Sequence, residues 1–149
     1  MSAAEALYWE VKDDLEAVAE PLFLAAWEQV ELLGSCMPAA AKLTADGEVE
    51  LVDPDPDAVI KISTLERPLL VEALQRVAVG AEAVALCEWV RVLDDGEPYL
   101  AVKVHVHHQR GLSAAYFMPA VKSSEGWEHE EIHVRAAPAL VAAWPCAED

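Results

Sequence analysis

The chain has 149 residues, a length suited to one domain spanning 1–149, and 54% of them are hydrophobic, enough for a sizeable core. Ten Lys and Arg, scattered one at a time, face 27 Asp and Glu for a formal net charge of -17; such a surface repels phosphate backbones and anionic lipid heads, which argues against nucleic-acid and membrane partners. No apolar run approaches the ~18–20 residues of a membrane span, and the opening stretch carries Glu5, Glu10, Asp13 and Asp14 where a leader carries positive charge, so the sequence reads as a cytoplasmic protein.

Residues 3–33 read as helix, because Leu15, Val18, Ala19, Leu22, Ala26, Val30 and Leu33 recur at spacings of three and four. Gly34 is its stop, and Pro21 is expected to kink it or divide it in two. A hairpin follows, with Met37 to Leu43 and Glu48 to Val52 flanking the turn Ala45-Asp46-Gly47. Asp53-Pro-Asp-Pro-Asp57 reads as an extended loop and Val59 to Ser63 as a short strand. A second helix is expected over 67–79, opened by Pro68 and ended by Gly80. Four strands come next: Ala83–Leu93, Tyr99–Gln109, Leu112–Val121 and Trp127–Arg135. Pro138 to Trp144 suggests a last short helix. The pattern is α+β: an antiparallel sheet of about five to six strands with two main helices packed on one face. Ala83–Leu93 is apolar on both alternations, which places it centrally and under cover on both sides.

Gly34-Ser-Cys-Met-Pro38, Leu43-Thr-Ala-Asp-Gly-Glu48 and Gly80-Ala-Glu-Ala-Val-Ala85 together resemble a pattern in small uncharacterised bacterial proteins, over about half the chain. The resemblance implies no activity.

His129-Glu130-Glu131-Ile132-His133 is a literal H-E-x-x-H, which in zinc peptidases needs a helix to bring both His to one face, with the Glu as base. Here Ile132 and Val134 alternate with Glu131 and His133, so 127–135 is expected to be strand and not helix. His105-Val-His107 has its two imidazoles side by side, about 7 Å apart on a strand rising ~3.3 Å per residue. If the strands form a meander, His105, His107, His129 and His133 share a sheet face and could hold zinc, with Glu130 or Glu131 as the base of a hydrolase. The competing reading is a solvated row of His and Lys, which nearby carboxylates would make more stable near pH 6 than near pH 8. Asp53-x-Asp55-x-Asp57 imitates an EF-hand opening but lacks the next Gly, where Ala58 stands, and the twelfth-position Glu, where Thr64 stands.

Cys36, Cys87 and Cys146 are far apart and form no C-x-x-C, so each reads as a small buried hydrophobe. The five Trp are read as core or interface cement rather than a ligand pocket. With no chemistry-bearing motif in its expected context, the leading expectation is a non-catalytic protein–protein interaction module without a cofactor, acting on a protein partner or on itself as a homodimer. The alternatives are the zinc-dependent hydrolase and an acidic inhibitor or immunity-type protein that masks a basic partner.

Overall fold

A computed structural model describes residues 2–52, 67–93 and 96–147; the expected Asp53–Asp57 loop and Val59–Ser63 strand lie outside them. Helix α1 (Ala3–Leu33) begins where the Ser2 hydroxyl accepts from the Glu5 N–H at 3.1 Å, and ends at Gly34, whose φ of 80° is the left-handed cap conformation. Pro21 does not divide it: the helix runs through as one element. The proline is exposed, so the Ala17 carbonyl it leaves without a helical partner can turn to water.

Strands β1 (Ala39–Thr44) and β2 (Val49–Leu51) make the expected hairpin, closed by the Gly47 N–H on the Thr44 carbonyl at 3.0 Å. Helix α2 (Arg67–Val77) leads into β3 (Ala81–Val92), β4 (Tyr99–His108), β5 (Ser113–Ser123), β6 (Gly126–His129) and β7 (His133–Ala136). The fold is α+β. Its antiparallel sheet has seven strands, ordered β2-β1-β3-β4-β5, with β6 and β7 both on the outer edge of β5.

The helices do not share a face. α1 buries Leu15, Val18, Leu22, Ala26 and Val30 against Ala83, Ala85, Cys87, Val102, Val104 and Val106. α2 packs Leu70, Ala73 and Leu74 on the opposite alternation of the sheet, Ala40, Val84 and Leu86. This corrects the one-sided arrangement, and its cause is the doubly apolar β3, which leaves an oily surface on each side for a helix to cover. Residues 138–147 are bends and turns, not the expected helix; they lie on the α2 side, tied there by Gln75, which donates to the Leu140 carbonyl at 2.8 Å and accepts from the Ala142 N–H at 2.9 Å.

The expected strand over 127–135 is strand at both ends and nowhere helix. It breaks at 130–132, where three residues stand opposite two of β5, Met118 and Pro119. Pro119 is the physical cause. Its carbonyl accepts from the Glu130 N–H at 2.9 Å, so the same edge of Pro119 would carry an N–H, and proline has none. The ladder is interrupted there, and a one-residue bulge takes up the gap.

Candidate functional site

The bulge decides what becomes of the H-E-x-x-H segment. In an unbroken strand His129 and His133 share a face; one extra residue puts them on opposite faces. His129 pairs with Ala120 and meets Trp27 of α1 edge to face, with ring centroids 5.0 Å apart. His133 pairs with Phe117 and stacks on its ring on the other side, at 5.5 Å. Glu130 and Glu131 are exposed in the bulge itself.

His105 and His107 sit on the α2 side, 3% and 0% exposed, and not on a solvated face. Each is held by the 138–147 segment. The Pro138 carbonyl accepts from His105 Nε2–H at 2.8 Å and from the Ser113 hydroxyl at 2.7 Å. His107 Nδ1 accepts from the Leu140 and Val141 N–H groups at 3.1 and 3.0 Å, while its Nε2–H donates to the Pro145 carbonyl at 2.8 Å. Trp144 closes over its ring at 5.4 Å. Burial lowers the pKa of both imidazoles, that of His105 to about 4, with the Pro138 hydrogen bond opposing and the charge of Lys103 assisting. Both nitrogens of His107 are committed to backbone, so it has no lone pair left for a metal or a proton. The four His and two Glu named as a hydrolase centre are therefore not brought together.

The sequence reading passed over another group. Asp14, Glu82 and His108 place ligand atoms within 4.8 Å of one another. The hydrogen bonds fix the chemistry. His108 Nδ1 accepts from the Arg110 N–H at 3.1 Å, so the proton sits on Nε2 and points at Asp14 Oδ2, 2.9 Å away. Glu82 accepts from the Gln109 side chain at 2.8 Å. A metal at Nε2 would drive the proton onto Nδ1, against a backbone donor. This is a hydrogen-bonded clasp between α1 and β4, not a ligand set. Cys87, by its hydrogen bond with the Cys36 thiol and by burial, is held far above the ordinary thiol range and offers no nucleophile.

What stays open is a groove of about 560 Å³ between α1 and the β5–β7 edge. α1 lies mainly over β3 and β4, and its side chains reach far enough to leave Tyr116 and Met118 at the foot of the groove only 7% and 5% exposed, while the same sheet face continues past it as the exposed Val134. Phe23, Leu24 and Trp27 form the helix wall; His129 and Ile132 form the edge wall. Leu24, Ile132 and Val134 are 62%, 43% and 42% exposed and line the same groove together, so their apolar surface is gathered rather than scattered. Glu16 and Glu20 stand on the rim. Glu16 is paired with Lys12 at 2.8 Å; Glu20 has no ion-pair partner among the described residues. The Tyr116 hydroxyl, donating to Tyr8 at 3.4 Å, is pushed up by burial and by that contact. Trp27 lines this groove and Trp9 is 62% exposed, while Trp89 and Trp127, half-buried against the core, meet edge to face at 6.0 Å.

Among the described residues no helix is long and apolar enough to cross a membrane. Compared with family models, curated proteins and solved structures, the chain matches none.

Proposed function

We propose that this chain is a non-catalytic interaction module that binds an apolar, positively charged segment of a protein partner in the groove between α1 and β7. The observation that carries the reading is the pairing of an open apolar floor with acidic margins on a chain of net charge -17. Apolar floors supply affinity, and like-signed margins choose the partner's charge and speed its approach. The absence of a free imidazole nitrogen at His107 and the clasped state of His108 favour binding over catalysis. The charge also ranks the partners: a basic protein, as for an acidic inhibitor, is preferred over a second copy.

The test is chemical-shift mapping with two capped hexapeptides, one of Leu and Arg, one of Leu and Glu. The Leu–Arg peptide is expected to shift Trp27, Ile132 and Val134 and little else, and the Leu–Glu peptide to shift nothing. Shifts of equal size from both peptides, or shifts centred away from the groove, would sink the reading.

A further inference from the structure

The groove reading leaves open what shape of segment fits. We infer that the occupant is an amphipathic helix, with Lys or Arg along both flanks of an apolar stripe, that lies beside α1 and completes the helix layer on that face. The inference rests on the groove reading and adds the partner's secondary structure and charge pattern.

Layer geometry is the first argument. Strands are spaced ~4.8 Å apart, so the β5–β7 edge lies roughly 5–10 Å beyond the strands that carry α1. Packed helices keep axes about 8–10 Å apart, so a second helix seated against α1 stands over the edge, where Leu24, Ile132 and Val134 are the exposed apolar lining. The helix wall runs from Tyr8 to Trp27, about 28 Å at 1.5 Å per residue, a length matched by about five turns of a partner helix.

The edge itself supplies the second argument, because it is built against strand addition. The bulge at 130–132 breaks the row of outward backbone groups. Glu128, Glu130, Glu131 and Arg135 are exposed along it, the charged protection natural edge strands carry. An extended peptide thus lacks a continuous ladder to join, whereas a helix satisfies its own backbone and needs only the apolar floor.

Charge is the third. Glu20, beside the Lys12-paired Glu16, margins one side, and the exposed Glu130 and Glu131 stand between the lining residues His129 and Ile132 on the other. Cations on both flanks of the incoming stripe meet them. Neither helix among the described residues fits this description. α1 carries eight acids and one Lys, and α2 already spends Leu70, Ala73 and Leu74 on the sheet. A second copy therefore brings like charge to like charge.

The experiment is calorimetric titration of the full chain with three peptides of about five helical turns. The first has Leu at helical spacing with Lys elsewhere. A second has the same composition in strict alternation, and a third replaces every Lys of the first by Glu. The first is expected to bind at least about tenfold tighter than the second, and the third not at all. Leu24→Lys, at an exposed position that leaves the fold intact, is expected to weaken the first at least about tenfold, with Trp27 and Val134 signals no longer shifting. Equal binding of the first two peptides overturns the helix while leaving the basic-partner reading standing. Tight binding of the Glu peptide, or no binding of any, overturns both. A dimer in sedimentation that Leu24→Lys dissolves overturns the helix in favour of a second copy.

Discussion

Acidification loads His105, and the load can be worked from its surroundings. The ring is 3% exposed, Nε2–H is spent on the Pro138 carbonyl, and the charged or titratable groups near it among the described residues are Lys103, His107 and Arg67. The folded pKa is lowered to about 4, mainly by burial. In the unfolded chain the value is ~6.5. Between these two values the unfolded chain holds a proton that the folded chain refuses, so stability rises with pH across the window and is lost as pH falls through it. The loss is about 2 kcal/mol at pH 5 and about 3 kcal/mol at pH 4, relative to pH 8. For a chain this size the pH 5 figure corresponds to roughly 4–8 °C in melting temperature. His107, also lowered by burial, adds in the same direction. The sign is opposite to that expected of solvated His. It imitates metal loss, but chelator should leave it unchanged. Urea denaturation of the chain and of His105→Gln, from pH 8 to pH 4, measures it: the variant should lose about 2 kcal/mol of the slope by pH 5. A His105 ring signal titrating near 6.5, or equal slopes in the two proteins, would refute the reasoning.

Further outcomes are expected. His107→Phe keeps the ring but strips a carbonyl and two N–H groups of their partners, so it should cost about 3 kcal/mol or more in urea denaturation and open residues 138–147 to limited proteolysis. Pro21→Ala restores a helical N–H at an exposed position, and should stabilise by about 1–3 kcal/mol in the same assay. Gly34→Ala places a Cβ in ordinary contact with the Trp127 ring at 3.8 Å, so its cost is the left-handed backbone alone, about 1–2 kcal/mol by thermal melting. Stoichiometric zinc should leave the melting temperature unchanged, since His108 presents a proton rather than a lone pair to Asp14; a clear rise abolished by His108→Gln would show the clasp to be a metal site.

Much of the architecture was legible along the chain, because helix and hairpin signals are local. The three-and-four spacing of Leu15, Val18, Leu22, Ala26 and Val30, stopped by Gly34, is α1 to the residue, and Asp46-Gly47 is the hairpin turn. The two apolar alternations of β3 announced its central place, and they also imply cover on both sides, which two helices on one face could not supply. Glu130 and Glu131 belonged to a strand pattern throughout; what the pattern concealed was the extra residue beside them.

Three things were decided only in three dimensions. The faces of His129 and His133 depend on Pro119, a residue on another strand whose missing N–H forces the bulge, and alternation within 127–135 carries no trace of it. The burial of His105 and His107 depends on carbonyl and N–H groups of residues 138–147 folding back more than thirty positions away, since backbone polarity is the same for every sequence until packing aims it. The groove exists because one helix is narrower than the sheet beneath it. Leu24, Ile132 and Val134 are ordinary apolar residues in the sequence, and only the relative width of the two layers leaves them uncovered.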